Sequence, residues 1–182
     1  MRKGGPLFFI VGFFILSLFG WVVFPKFLFS EKTQPIDFSH VAHGEEAGLS
    51  CEDCHYFRAD GSYAGIPSID KCMECHEGGT GLEGKAAQEE EKLLKFAEEG
   101  KEIPWLIYSW QPDNVYFSHA AHVKMAEIEC KICHGDVEER EHPPVYKKNR
   151  LHPYSKQTMA METCEACHQE KGVSNTCFVC HK

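Results

Sequence analysis

The chain predicts a mostly α protein with little regular structure: one N-terminal transmembrane helix, then a compact region of short helices joined by irregular loops. Three observations predict it. An uncharged run from Gly4 to Pro25 would reach about 33 Å as a helix, enough to cross a bilayer core. Five Cys-x-x-Cys-His segments, Cys51–His55, Cys72–His76, Cys130–His134, Cys164–His168 and Cys177–His181, use all ten cysteines. The chain is also short for that load. About 150 of its 182 residues follow the apolar run, roughly 30 per segment, too few for extensive sheet or for an ordinary core round each one.

Within the apolar run, Leu7 to Phe24 is broken only by glycine and one serine. No small-x-small cleavage site follows it, which favours a retained anchor over a cleaved signal peptide. Arg2 and Lys3 in front favour a cytoplasmic N-terminus, with the rest of the chain outside. Residues 1–30 therefore read as anchor and linker, and 31–182 as one domain. Ser30 to Pro35 is expected to be a polar linker without structure.

The Cys-x-x-Cys-His segment is the attachment site of a c-type haem. Its thiols bond the porphyrin vinyl groups, and the adjacent imidazole reaches the iron. Cys51, Cys54, Cys72, Cys75, Cys130, Cys133, Cys164, Cys167, Cys177 and Cys180 would thus hold five covalent haem c groups, with His55, His76, His134, His168 and His181 as proximal ligands. Zinc sites and disulfide frameworks also use paired cysteines, but neither requires histidine directly after the second cysteine five times over. The haems would then supply most of the domain's core.

Two of the segments belong to a longer duplicated unit. Phe38-Ser-His40-Val-Ala-His43 stands seven residues before Cys51, and Phe117-Ser-His119-Ala-Ala-His122 stands seven before Cys130. A histidine pair at fixed spacing offers imidazoles for the opposite faces of the irons, so His40, His43, His119 and His122 are candidate distal ligands. The duplication divides the domain into halves at about 35–81 and 115–182. They are joined by a helix at about 84–99, where Leu93, Phe96 and Ala97 share one face and Gly100 suits the C-terminal cap. That helix reads as solvated on its other faces. Trp105, Trp110 and Tyr116 are expected to pack on porphyrin or a partner. For the fifth distal position the residues leave His142, His152, Met125, Met159 and Met161. Only nine residues separate Cys167 from Cys177, so the last two haems should be neighbours.

A formal charge of −8 argues against nucleic acid and for electrostatic docking of a basic soluble protein. Six histidines lie outside the five motifs, so no iron need keep the open position that small-molecule reduction requires. No acid–base pair beside Phe24 to Glu31 marks a quinone site, as a stand-alone anchored quinol dehydrogenase would need. The residues therefore favour an electron-transfer chain without a catalytic site.

The Phe-Ser-His-x-x-His unit with its haem motif resembles the class III multihaem cytochromes. Other segments narrow the resemblance: Gly20-Trp-Val-Val-Phe-Pro25, Gln34-Pro-Ile-Asp-Phe38, Ala64-Gly-Ile-Pro67, Ile103-Pro-Trp105, Pro112-Asp-Asn-Val-Tyr-Phe117 and Met161 before Cys164. Together they are similar to the multihaem cytochrome c subunit of alternative complex III and of the quinone reductase complex of sulfate reducers. That resemblance implies a compact class III-type domain in the periplasm, anchored in the cytoplasmic membrane and its lipid. It implies partners as well: an integral membrane subunit handling menaquinone, a periplasmic subunit resembling iron–sulfur and molybdopterin enzymes, and a soluble periplasmic cytochrome c. It also favours His142 as the fifth distal ligand, because His142 stands before Val145-Tyr146 where alternative complex III relatives carry a methionine. A pyridine haemochrome assay is expected to return five c-type haems per chain; four or six would refute the count.

Overall fold

The computed structural model describes residues 5–109, 111–151 and 159–182. Arg2, Lys3, Trp110 and His152 lie outside the described residues. The fold is mostly helical with little regular structure.

The apolar run is one continuous 24-residue helical segment, Gly5–Leu28, with a mean hydropathy of 2.6 and no buried residue, long and apolar enough to cross a membrane. It comprises α1 (Gly5–Leu18), a π-helical turn (Phe19–Val23) and α2 (Phe24–Leu28). The widened turn has a local cause. Pro25 has no backbone N–H and its ring crowds the carbonyl one turn back, so the ladder loosens just ahead of it. Phe24 N–H accordingly reaches Phe19 O, five residues back.

Directly after the helix, the expectation of an unstructured linker fails. Phe29–Lys32 is a strand, β1, paired antiparallel with β2 (Tyr146–Asn149), Phe29 facing Asn149 and Lys32 facing Tyr146. Lys147 pairs with Glu31 across the ladder at 3.3 Å, and Arg150 N–H donates to Leu28 O at 2.8 Å. Strand pairing satisfies the backbone of a polar segment only when a partner arrives, and this partner lies over a hundred residues away.

Each Cys-x-x-Cys-His segment lies on a short helix: α3 (Cys51–Cys54), α4 (Ile69–His76), α6 (Cys130–His134), α7 (Met161–Glu170) and α8 (Cys177–Cys180). The linking helix, α5 (Gly84–Glu98), ends where expected, with Gly100 at φ 61°, a conformation glycine adopts without a Cβ penalty. Among the described residues the buried apolar side chains are Ile36, Ile69, Leu93 and Ile103, with Met73, Phe96, Ala97 and Trp105 packed against them. Trp105 therefore packs on the protein's own small cluster. The accessible surface, 13796 Å², is about half as large again as a compact monomer of this length exposes, partly through the bare apolar helix. Apolar burial of this size is small for a domain, which fits a fold completed by prosthetic groups.

Candidate haem-binding sites

The duplicated unit folds the same way twice. Ser39 Oγ accepts from Ala42 N–H at 3.1 Å and Ser118 Oγ from Ala121 N–H at 3.3 Å. A π-helical turn follows in each, Ala42–Glu46 and Ala120–Met125. The leading phenylalanine sits between its two histidines. Phe38 is edge-on to His40 (82°, 4.9 Å) and stacked on His43 (24°, 4.2 Å). Phe117 is edge-on to His119 (86°, 4.8 Å) and stacked on His122 (25°, 4.8 Å). The wedge keeps the two imidazoles of a pair apart, so they face different partners.

Those partners are motif histidines. His43 faces His76 with ring centres 6.1 Å apart, His119 faces His134 at 6.3 Å, and His122 faces His168 at 6.2 Å. Two imidazoles bound trans to one metal at about 2.0 Å each have ring centres roughly 6 Å apart. The three separations match that requirement, and the last two ring pairs are nearly parallel, at 5° and 15°. His119 thus meets its own unit's motif and His122 the next one. His43 likewise meets the motif after its own, and among imidazoles His55 acts most strongly on His40. Burial first, then neighbouring imidazoles, holds His40 and His119 below the ordinary histidine range, favouring the neutral form that ligates iron.

Hydrogen bonds set which ring nitrogen is free. His43 Nδ1–H donates to Ser39 O (2.7 Å), His122 Nδ1–H to Ser118 O (2.8 Å) and His55 Nδ1–H to Gly65 O (2.7 Å). A carbonyl can only accept, so the proton sits on Nδ1 and the Nε2 lone pair is left for a metal. The residues present therefore fit haem iron.

The comparisons with known proteins agree with this geometry. Residues 24–102 match the class III cytochrome C family, and residues 115–182 match cytochrome c7 and related cytochrome c. The multihaem cytochrome c subunit of menaquinone reductase from Nitratidesulfovibrio vulgaris (strain Hildenborough) is 45% identical over 194 residues, covering 98% of this chain and 91% of that protein. The chain belongs to this multihaem cytochrome c family.

The five motifs of this cytochrome form one continuous series of neighbours. Burial pushes the Cys51, Cys54, Cys72, Cys133 and Cys164 thiols above the ordinary range, and other motifs' thiols add to it. Cys54 acts on Cys72, Cys130 on Cys51, Cys164 and Cys167 on Cys133, and Cys180 on Cys164. Ring contacts and a shared cleft carry the order second, first, third, fourth. His43 of the first unit faces His76 of the second motif, the first and third motifs line one cleft, and His122 of the second unit faces His168 of the fourth motif. Tyr63, from the loop after the first motif, stacks on His119 of the third site at 4.1 Å. One cleft is lined by Cys51 and His55 together with Cys130 and His134. The last motif is tied to the second unit by Tyr116 N–H to Cys180 O (2.7 Å) and Lys182 N–H to Asn114 O (3.1 Å), with His181 Nδ1 3.3 Å from Asn114 O.

His142 is exposed and its Nδ1 lies 3.0 Å from Asp37 Oδ1; the described ring pairs of iron-ligating separation do not include it. Met125 and Met161 are exposed at 82% and 53%. One residue at the sites escaped sequence reasoning. Glu90 of α5 is buried and accepts from His76 Nδ1 at 2.6 Å. Its signal was its register: Glu90 stands three residues before Leu93, on the packed face rather than the wet one. Replacing His119 with alanine is expected to turn one haem high-spin, read by electron paramagnetic resonance; an unchanged low-spin spectrum would count against the pairing with His134.

Proposed function

We propose that this chain is a membrane-anchored pentahaem cytochrome c subunit of a respiratory, menaquinone-linked oxidoreductase complex, carrying electrons between a soluble periplasmic cytochrome and the other subunits. The observation that carries the reading is the set of motif histidines His76, His134 and His168, each faced by a second imidazole with ring centres 6.1–6.3 Å apart. Bound haem c supplies reversible one-electron exchange between ferric and ferrous iron. The chain's own part is to fix each iron between two imidazoles, so that little rearranges on electron transfer, and to hold successive sites close together. His40 and His55 would serve the first site, His43 and His76 the second, His119 and His134 the third, and His122 and His168 the fourth. His181 would serve the fifth from the proximal side.

His142 is our candidate for the fifth distal ligand. Its Nδ1 is already held by Asp37, which leaves Nε2 available, as at His43, His55 and His122. Near-infrared magnetic circular dichroism of the oxidised protein is expected to lack a methionine–iron charge-transfer band. Such a band, or an unchanged bis-histidine spectrum in His142→Ala, would overturn the assignment.

Residues 1–30 would then anchor the chain in the cytoplasmic membrane, leaving 31–182 in the periplasm. The relative's name, a subunit of menaquinone reductase, supports partners in a complex; our reading makes these an integral membrane subunit and an iron–sulfur or molybdopterin-type one. Gentle purification from membranes is expected to bring stoichiometric partner subunits with the cytochrome. A lone anchored cytochrome that oxidises quinol would instead establish a stand-alone quinol dehydrogenase.

A further inference from the structure

We propose that Glu90 is a positioning residue that lowers the reduction potential of the haem at the second motif, making that site the strongest reductant among otherwise similar ones. The inference rests on the reading that Cys72, Cys75 and His76 hold a haem.

The geometry is specific. Glu90 Oε1 accepts from His76 Nδ1 at 2.6 Å, from Thr80 N–H at 2.9 Å and from Thr80 Oγ–H at 2.7 Å. Its residue is only 9% exposed. The sequence builds this from both sides. On α5, Glu90 lies on the face of Leu93, Leu94 and Ala97, turned toward α4. After α4 the chain must double back within three residues to bring Thr80 to the carboxylate, and Gly78 and Gly79 do so at φ 81° and 86°, where a side chain would be strained.

What distinguishes this site is the charge of the acceptor. At His43, His55 and His122 the Nδ1 proton meets a neutral backbone carbonyl. At His76 it meets a carboxylate whose other recorded partners are the neutral donors of Thr80. Asp37, the carboxylate at His142, is different, because Lys85 Nζ lies 2.6 Å from it and offsets its charge. The duplication supplies an internal comparison. His168 is the counterpart of His76 in the second half, and its Nδ1 is buried without a partner among the described residues. Two equivalent sites thus differ by one carboxylate.

A carboxylate on Nδ1–H pulls the proton away from the ring and raises the basicity of Nε2. A more basic ligand, with negative charge held nearby in a poorly solvated place, stabilises ferric over ferrous iron. The potential therefore falls. The second motif stands at one end of the series, so the strongest reductant would occupy a terminal position.

Glu90→Gln separates this role from a purely structural tether between α4 and α5. The amide oxygen still accepts from His76, but the charge is gone. In a spectroelectrochemical titration of the full haem-loaded protein, one one-electron component is expected to move to higher potential. At a fixed potential its reduced-to-oxidised ratio should rise about tenfold, which is 59 mV for one electron. The other components should stay in place. An unmoved set with full haem content, or a uniform shift of every component, would overturn the proposal. Glu90→Asp keeps the charge on a shorter stem and guards against haem loss in the Gln variant. Retention of the low component there supports the proposal, and its rise to the Gln position overturns it. The motif is checked separately: Cys72→Ala with Cys75→Ala should remove one haem, and a full haem count there would overturn both the site reading and the role of Glu90.

Discussion

A metal between two imidazoles tolerates little error, since both lone pairs must lie on one line and the two rings must stand about 6 Å apart. Most of what is regular in this chain follows from that demand. A histidine on a free loop would lose rotamer entropy at each binding event, so the rings are fixed beforehand. Phe38 and Phe117 set their direction by stacking on one imidazole and closing edge-on against the other. Ser39 and Ser118 then act twice, through the hydroxyl on the turn and the carbonyl on Nδ1. An α-type bond carries the second histidine of each pair, His43 N–H to Ser39 O and His122 N–H to Ser118 O, and the turn widens only after it, at Ala47 and Ala126.

The sparse apolar core is the complement of this arrangement. The four buried aliphatic side chains among the described residues are too few to order a domain of this length against its chain entropy, so the motifs would be stabilising elements as well as functional ones. The four aliphatic residues cluster where α4 meets α5, beside the second motif. Elsewhere, motif helices such as the four-residue α3 and α8 are far below the length at which a helix persists alone. Covalent attachment of haem through two thioethers and an iron bond would supply what packing does not.

How far the sequence revealed all this depends on the range of each interaction. The motif helices, the paired histidines and the Gly100 cap were legible because each is local chemistry repeated at fixed spacing. The residues Phe-Ser-His were visible as a repeat, but the wedge formed by the phenylalanine needs coordinates. The β1–β2 ladder was missed because Phe29–Lys32 carries no strand pattern of its own and its partner is remote. Trp105 reads from the sequence as a packing aromatic, and coordinates are needed to show that it rests on the cluster of Ile36, Ile69, Leu93 and Ile103. Glu90 is hidden in a run of three glutamates on a helix that reads as solvated outside the face of Leu93, Phe96 and Ala97. Only the phase relative to Leu93 separates it from its neighbours, and Glu89 on the next face does something else, accepting from Asp37 N–H and Lys92.

Duplication creates a difficulty for a chain of redox sites. Two copies of one unit tend to hold their irons in the same environment, and equal potentials give electrons no preferred end. The two halves here keep the ligand geometry, with ring separations within 6.1–6.3 Å, and diverge in what surrounds the rings. The first half has α5 behind it, which brings Glu90 to His76. Among the described residues the second half has no counterpart helix after its motif helix α7, and the chain passes instead to a fifth motif fastened by Asn114 and Tyr116. Ligation is the property that cannot vary, because a displaced imidazole loses the iron. The second nitrogen of each imidazole is free of that restriction, so a duplicated cytochrome can differentiate its sites there without moving a ligand.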